Sequence, residues 1–157
     1  MTTMADAIEA KLQDLFIADT DLDPVKVFCQ GEPIVVPDGD YPLVILFVTA
    51  QGRIAQETGL WIYQYDGYIA VETQIPDSYT VNSRKAQISS YAVIRNLLDA
   101  ITANLETHQG LDDLLNGTEQ ARVIDVGNKT YGLQNRGNSL NNRGEVPISV
   151  QTQKPRT

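Results

Sequence analysis

The residues with the most reactive side chains are scarce in this chain of 157 residues. It has one cysteine, Cys29, and one histidine, His108. A structural zinc site needs about four cysteine, histidine or carboxylate ligands, and a nucleophilic side chain needs a base beside it. A lone cysteine also cannot close an internal disulfide bond. The sequence therefore predicts no metal site, and it offers no residue that we can name as catalytic.

Carboxylates are abundant, with 20 aspartates and glutamates, but no pair of them stands beside a nucleophile or a cleft signature. Asp19, Asp21 and Asp23 alternate like the first ligands of a calcium loop. Pro24 follows them, however, and the later glycine and glutamate of such a loop are missing, so an acidic turn that ends a helix is the better interpretation. The stretch 127–130 lacks the glycine spacing of a phosphate-binding loop. We therefore expect no cofactor.

Asparagine, glycine and arginine dominate the segment 128–144, which has almost nothing to bury. Polar connections of this length inside a small domain are mobile or functional. Arginine suits a phosphate or an acidic neighbour because its planar guanidinium donates hydrogen bonds in pairs, although a solvated loop tip would have the same composition. The candidate subunit or partner interface consists of Arg122, Asn135, Arg136, Asn138 and Arg143.

A row of aromatic side chains, Trp61, Tyr63 and Tyr65, shares one face of a predicted strand. Such rows stack bases in proteins that bind single-stranded nucleic acid. The charges nearby are few and acidic, whereas a phosphate backbone needs a basic surface. A packed sheet face or a protein contact is therefore the favoured interpretation.

The net charge of −8 is unevenly distributed along the chain. Residues 1–120 hold six basic and eighteen acidic residues, whereas residues 121–157 hold six and two. The long acidic part disfavours nucleic acid as a partner throughout. Acidic and basic regions on one surface favour head-to-tail contacts between copies, although a few solvated arginines near the end of the chain would give the same totals.

Hydrophobic spacing predicts the elements that position these side chains. Residues 4–18 have the spacing of a helix, with Thr3 as its N-cap. The apolar face of that helix consists of Ile8, Leu12, Leu15 and Phe16. A nearly continuous apolar run over 41–49 predicts a central strand buried on both faces. Residues 25–29 and 60–73 also have strand patterns, the latter as one bent strand or as a hairpin turning at its Asp-Gly pair.

The most regular pattern predicts a long helix over about 83–107. Its apolar stripe consists of Ile88, Tyr91, Ile94, Leu98, Ile101 and Leu105. Gly110 can supply the left-handed residue that closes this helix. His108 lies at the C-terminal end of the helix, where the partial negative charge favours a cation. The stripe is short for a coiled coil and has no second segment to pair with, so packing on a sheet is favoured.

Two further strands are predicted over 121–127 and 145–153, and Pro147 indicates an edge position for the second. Between them we expect a long polar loop, 128–144, and after them a flexible tail, 151–157. The chain is then one domain, 1–157, of the α+β class: a mostly antiparallel β-sheet with a short N-terminal helix and a long helix packed on one face. No apolar run approaches the roughly 20 residues of a membrane span, so we expect a soluble protein without membrane contact.

The order of these elements resembles the tail terminator, or tail completion, proteins of tailed bacteriophages. The resemblance extends over most of the chain. It is carried by the opening helix MADAIEAKLQDLF, the apolar strand YPLVILFV, the helix SRKAQISSYAVIRNLLDAITANL and the closing strands around a long polar loop. It is a likeness of pattern and order, without invariant motifs. The length of 128–144 and the tail QTQKPRT depart from it, which leaves contractile and non-contractile tails both open.

The resemblance implies a structural virion protein, not an enzyme, that forms a ring, usually of six subunits. Such a ring caps the tail tube and joins it to the neck below the head. The implied partners are further copies of the chain, the tail tube protein and the neck or head-completion protein, with DNA only passing through the ring lumen. The implied location is the virion tail and neck, and the host cytoplasm during assembly. The alternatives are a tail tube or other neck subunit, or a small soluble ligand-binding domain.

In such a ring, Arg122, Arg136 and Arg143 are the expected complement of the acidic residues in 1–120. If Arg136 and Arg143 lie in a polar loop, replacing both with glutamate should weaken assembly and leave the monomer folded. The loop itself would become ordered on meeting the tube or the next subunit.

Overall fold

A computed structural model of the chain describes residues 2–74, 79–81, 84–86, 91–137 and 139–156. The helices in this part are α1 (Met4–Ile17) and α2 (Tyr91–Thr107), with 3₁₀ turns at Thr20–Leu22, Asp38–Asp40 and Gln109–Leu111. The strands are β1 (Val27–Gln30), β2 (Leu43–Glu57), β3 (Leu60–Gln74), β4 (Tyr79–Val81), β5 (Arg84–Ala86), β6 (Leu115–Asn116), β7 (Glu119–Val126), β8 (Thr130–Asn135) and β9 (Leu140–Pro155).

The main sheet has the strand order β1-β2-β3-β9-β7-β6, and β8 pairs with β9 beyond the end of β7. Only β1 and β2 are parallel among these pairs. Strands β4 and β5 form a separate antiparallel pair. The prediction of an α+β fold with a mostly antiparallel sheet, a short first helix and a longer second helix is confirmed.

Helix α1 begins as its sequence indicates. The Thr3 hydroxyl accepts a hydrogen bond from the Asp6 N–H (3.1 Å) and satisfies one of the free donors of the first turn. The four predicted apolar positions are all buried against the strands. After the helix, the Asp19 carboxylate accepts from the Asp21 N–H (2.9 Å) and starts the next turn. The acidic stretch is thus the helix-ending turn that we predicted.

Strand β2 extends well beyond the predicted run over 41–49, and β3 is the single long strand that was one of the two alternatives for 60–73. Gly67 pairs with Val48 on one side and with Ile148 on the other. A Cβ atom at this position would lie 2.0 Å from the carbonyl oxygen of Phe47. Glycine therefore allows three strands to pass closely at a point where the sequence also fits a hairpin turn, and the hairpin alternative is wrong.

The two faces of the sheet are covered differently. Both helices pack on one face and form the larger core with the inward residues of β2, β3, β7 and β9. The opposite face is covered over its first strands by the segment 31–42, where Val36 and Tyr41 pack on Leu43, Ile45 and Ala70. This second, smaller core brings the segment 31–42 against the sheet.

The long helix is shorter in the structure than in the sequence prediction. Within the described residues it begins at Tyr91, and Arg84–Ala86 are a strand that pairs with Tyr79–Val81. The prediction of helix over these three residues is wrong because their backbone groups pair across two strands. Ile88 lies outside the described residues. The remaining stripe packs on β9, where a Cβ atom at Gly144 would lie 2.4 Å from Ile94.

The predicted loop 128–144 and the predicted tail 151–157 are also wrong. Strands β8 and β9 form a hairpin across most of the first, and β9 continues to Pro155 in the second. The segment is polar although it forms strands, because the side chains that are buried at one end of this hairpin are polar. Asn141, Asn142 and Arg143 are each less than 10% exposed, so no apolar alternation marks the strand.

Strand β9 lies inside the sheet and not at its edge. Pro147 has no N–H to donate. It lies at the gap on one side of β9 between the strand β7 and the strand β8. Its carbonyl accepts from the Gly127 N–H (2.8 Å). The proline is therefore tolerated at a gap between two neighbouring strands, which is a local edge within a central strand.

Candidate functional site

The residues predicted as a contact surface do not share one environment. Arg122 lies on β7, partly exposed, with its guanidinium 3.4 Å from the carboxylate of Glu57 at the end of β2. Asn135 ends β8 at the exposed tip of the hairpin, where its side-chain oxygen accepts from the Gly137 N–H (2.8 Å). Asn138 lies outside the described residues. The two remaining residues, Arg136 and Arg143, lie in a cluster of their own.

This arginine–glutamate cluster consists of Glu32, Glu72, Arg136, Arg143 and Glu145. The Glu72 side chain is fully buried, and those of Arg136 and Arg143 are 6% and 8% exposed. Glu32 and Glu145 lie at the rim, with side chains 36% and 40% exposed. The two arginines are therefore interior groups and do not form a free basic surface. The expectation that both lie in a solvated loop is wrong.

The register of the sheet creates the centre of the cluster. Glu72 on β3 and Arg143 on β9 are direct cross-strand partners, so their side chains lie side by side on one face. The Arg143 Nη1 donates to Glu72 Oε2 at 2.8 Å. Glu145 follows two residues later on the same face and accepts from Arg143 Nε at 3.2 Å and Nη2 at 2.9 Å.

Arg136 reaches the same carboxylate from the turn between β8 and β9. Its Nε donates to Glu72 Oε1 at 3.0 Å, and its Nη2 donates to Glu72 Oε2. Its Nη2 also donates to Glu32 Oε2 at 3.0 Å, and its Nη1 donates to the Pro33 carbonyl at 2.7 Å. One guanidinium thus connects the hairpin tip, the middle of the sheet and the segment 31–42.

Glu32 closes the cluster from that segment. It accepts hydrogen bonds from Arg143 and from the Tyr68 hydroxyl, the latter at 2.6 Å. The Arg143 guanidinium also lies over the Tyr68 ring, 5.6 Å from its centre. Beneath them, the Asn141 amide donates to the Tyr41 hydroxyl at 2.7 Å and completes the polar layer.

The cluster holds Glu32 and its two arginines in their charged forms. Burial by itself raises the pKa of Glu32, but hydrogen bonds from Arg143, Tyr68 and Arg136 outweigh it and lower that pKa to about 2. Hydrogen bonds to Glu72 raise the pKa of Arg136. Burial opposes the charge of Arg143, yet its bonds to Glu32 and Glu145 raise the pKa overall. A general acid or base works best with a pKa near the working pH, so these groups are suited to holding structure.

Three of the four other basic residues of 121–157 also have partners within the chain. The Lys129 ammonium pairs with Asp99, and Arg122 pairs with Glu57. The Arg156 guanidinium lies over the Trp61 ring, 4.6 Å from its centre. The excess of positive charge in 121–157 is therefore largely neutralised or stacked inside the molecule.

The aromatic row on β3 is part of the sheet's own packing. Tyr65 is buried, and its hydroxyl donates to Glu119 Oε2 at 2.7 Å. Trp61 has the guanidinium of Arg53 at 4.0 Å and that of Arg156 at 4.6 Å from its ring centre. The interpretation of this row as a packed face is confirmed for Tyr65, and arginines already lie over the ring of Trp61.

One flank of the sheet ends in an open edge at β8. This strand pairs with β9, and no other strand among the described residues lies on its outer side. In an antiparallel pair every second N–H and C=O points away from the partner. Large apolar side chains stand along this end of the hairpin: Tyr131, Leu133 and Leu140 are 43%, 61% and 50% exposed.

The opposite flank has a second open edge on the far half of β2. Strand β1 covers β2 only over 43–46, and Glu9 Oε2 accepts from the Val48 N–H at 2.8 Å just beyond. From 49 to 57 no strand in the described part of the chain lies on this side. Ile54, half-exposed, stands on it. In the described part of the chain, each flank of the sheet therefore has one of these two strand edges, in addition to the outer sides of the short end strands β1 and β6.

The described residues contain no group of three or more histidine, cysteine, aspartate or glutamate side chains arranged to hold a metal ion. No helix in the described ranges is long and apolar enough to cross a membrane. In comparisons with known proteins, no family model and no curated protein matches this sequence.

Proposed function

We propose that the chain is a structural virion protein that caps a phage tail tube as a closed ring of identical subunits and joins that ring to the neck. The order of elements, which resembles tail terminator proteins, suggests the assembly. The two open edges of the sheet are the observation that supports it most strongly. The role requires no catalysis and no cofactor.

The edges support a ring because they differ. An unpaired strand edge is a template for pairing with another chain. If the outer edge of β8 in one copy pairs with the far half of β2 in the next, the contact is heterologous, with a different surface on each side. Heterologous contacts build a ring when the rotation between subunits closes, and a filament when it does not.

This contact replaces the one that the sequence suggests. Arg136 and Arg143 neutralise Glu32 and Glu72 inside the same subunit, so they are not available to an acidic neighbour. The exposed apolar side chains Leu133 and Ile54 provide the burial that a stable contact needs. The ring is therefore proposed to close through backbone pairing and apolar contact, with charge in a minor role.

Native mass spectrometry of the purified chain, alone and mixed with a tail tube protein, tests the proposal. The expected result is a single closed species, at about six times the subunit mass of 17.3 kDa. Long polymers that form from the chain alone would favour the tube-subunit alternative. A chain that stays monomeric at high concentration and beside tail tube protein would contradict the proposal.

A pair of matched variants locates the contact. Leu133→Lys places a charge on the open edge of β8, which protects edge strands from pairing, and we expect it to abolish the ring. Leu115→Lys changes an equally exposed leucine, 61% in both cases, on the short strand β6. The second variant should assemble normally. Rings that form equally well in both variants would exclude β8 from the contact.

A further inference from the structure

Basic side chains from separate segments meet at the end of the sheet where β2 turns into β3. Trp61 on β3 is the cross-strand partner of Lys154 on β9, so the two side chains share one face. The guanidinium of Arg53 on β2 lies 4.0 Å from the centre of the Trp61 ring, and that of Arg156, just after β9, lies 4.6 Å from it. The three basic residues are exposed. Together with Trp61 they form what we call the basic–aromatic patch.

The fold does not neutralise the cations of this patch. None of the three has an acidic partner among the described residues. The carboxylates at the same end of the sheet are engaged elsewhere: Glu57 pairs with Arg122 at 3.4 Å, and Glu119 accepts from the Tyr65 hydroxyl at 2.7 Å. The patch is therefore a local positive surface on a chain whose net charge is −8.

The tryptophan ring holds the two arginines in place and leaves N–H donors at their edges. A guanidinium over an indole is attracted by the ring face, and its N–H groups lie in its own plane. Arg53 donates no side-chain hydrogen bond within the described part of the chain. Arg156 is fixed further, because its backbone N–H donates to the Gly59 carbonyl at 3.0 Å. Groups that are held before a ligand arrives lose less entropy on binding.

Phosphate is the chemistry that this arrangement suits. Arginine donates hydrogen bonds in pairs to phosphate oxygens, and lysine adds a point charge. Neighbouring strands are about 4.8 Å apart, so Arg53 on β2 and Lys154 two strands away can contact different phosphates of one backbone. The Trp61 ring already has two guanidinium groups over it and is not a free platform for an unpaired base. A duplex therefore fits better than a single strand.

We propose that the basic–aromatic patch binds the phosphate backbone of duplex nucleic acid without reading its sequence. Three cations allow about two to three phosphate contacts, which makes the binding weak and strongly dependent on salt. A protein partner fits less well, because protein interfaces have an apolar core with aromatic anchors and the aromatic ring here is covered by charged groups. The inference rests on this patch alone and goes beyond the proposed ring.

The test is a titration of the purified chain with a DNA duplex of about 20 base pairs, at about 50 mM and about 200 mM salt. Anisotropy of the labelled duplex gives the affinity. Trp61 is the only tryptophan of the chain, so its fluorescence reports contact at the patch itself. We expect a saturable change in that fluorescence and an affinity that falls roughly tenfold to fortyfold between the two salt concentrations. A single strand of the same length should bind more weakly.

Two double variants remove the same charge from different places. Arg53→Gln with Lys154→Gln should weaken binding and reduce its salt dependence to about fourfold or less, because at most one phosphate contact remains. Lys26→Gln with Arg95→Gln removes two exposed cations outside the patch and should keep the salt dependence of the unaltered chain. Thermal unfolding checks that both variants fold, and the salt and single-strand comparisons on the unaltered chain do not depend on them.

Several outcomes would overturn the proposal. Equal weakening in both double variants, or in neither, would place the binding outside the patch. A capped oligoglutamate peptide that binds as tightly as a duplex of equal charge would assign the patch to an acidic protein. A fluorescence change with protein concentration alone would assign it to a second copy, and tighter binding of the single strand would mean that bases stack on Trp61. None of these results depends on ring closure, so this inference and the proposed function fail separately.

Discussion

The arginine–glutamate cluster and the acidic turn that follows α1 hold carboxylates under opposite conditions. In the cluster, Glu72 is fully buried and two guanidinium groups of the same chain neutralise it. In the turn after α1, Asp19 accepts hydrogen bonds from the Asp21 N–H and from the Asn104 amide, Asp21 is exposed, and no lysine or arginine is among the described residues that line the groove of about 340 Å³ beside them. The fold pairs the charges of the first region with guanidinium groups, whereas it gives Asp19 in the second only neutral hydrogen-bond donors.

This difference shows why charge totals along a sequence predict a surface poorly. The basic residues of 121–157 look like a complement for other copies of the chain. The fold instead brings Arg143 beside Glu72, 71 positions earlier in the sequence, and Arg136 beside the same carboxylate. The charges of Arg136 and Arg143 are neutralised in the interior. The last turns of α1 and α2 contain no basic residue that would offset the negative charge there.

The largest expected effect comes from removing the centre of the cluster. Arg143→Met leaves the buried Glu72 carboxylate with one partner fewer, and breaking a buried pair in this way costs about 3–5 kcal/mol. Urea denaturation measures the loss. The double variant Glu72→Gln with Arg143→Met should recover a large part of it, because the buried carboxylate is then gone and Arg136 keeps its bonds to Glu32 and to the Pro33 carbonyl. A single-variant loss below about 1 kcal/mol would mean that the cluster contributes little.

The second prediction separates the two arginines. Arg136→Met removes hydrogen bonds to Glu72 and Glu32 and to the Pro33 carbonyl, and bonds to charged groups are worth about 1.5–3 kcal/mol. We expect a loss in that range and faster amide exchange over 32–36, because the segment loses its attachment to the hairpin. Arg95→Met, on the exposed side of α2, is the control and should cost about 0.5 kcal/mol or less. Unchanged exchange over 32–36 would contradict the role assigned to Arg136.

The sequence could predict the helices and the central strand but not the cluster. Periodic apolar residues such as Ile8, Leu12 and Leu98 mark a buried helix face whatever they pack against. Strand β9 has no such mark over 140–145, because its buried residues there are polar. The pattern then resembles a loop, although Arg143 and Asn141 are as buried as a core residue.

Glu72 was not singled out from the sequence, although a signal was present. It is the one charged residue of its strand's apolar half, GYIAVETQ, and a charge inside such a strand requires a partner. Which partner it has depends on strand register between β3 and β9. Register joins residues 71 positions apart, and local patterns carry no information on that pairing.

The third prediction concerns pH and sharpens the same contrast. The pKa of Glu32 is lowered to about 2 in the folded chain, below the usual value of about 4.3 in an unfolded one. Its contribution to stability is therefore complete above about pH 4.3 and is lost as the pH falls toward 2. Denaturation midpoints measured across this range should fall more steeply for the unaltered chain than for Glu32→Gln. Parallel curves would contradict the lowered pKa.

The smallest expected effect lies at the C-terminal end of α1. Asp14→Lys places a cation in the last turn of α1, where the helix end and nearby carboxylates favour it by about 0.3–1 kcal/mol. We expect a higher free energy of unfolding at low salt and a smaller gain at high salt, since screening weakens such contacts. Asp125→Lys makes the same charge change on β7 and should gain less. Equal gains in the two variants would show that only net charge matters.

Our central proposal is that copies join through the two sheet edges and not through the arginine–glutamate cluster. Amide hydrogen exchange, measured in the assembled protein and in the dilute monomer, tests this most directly. The account predicts added protection in the assembly over β8 and over the far half of β2, with Glu72 and Arg143 equally protected in both. Assembly that leaves both edges unprotected, or that protects the cluster instead, would contradict it.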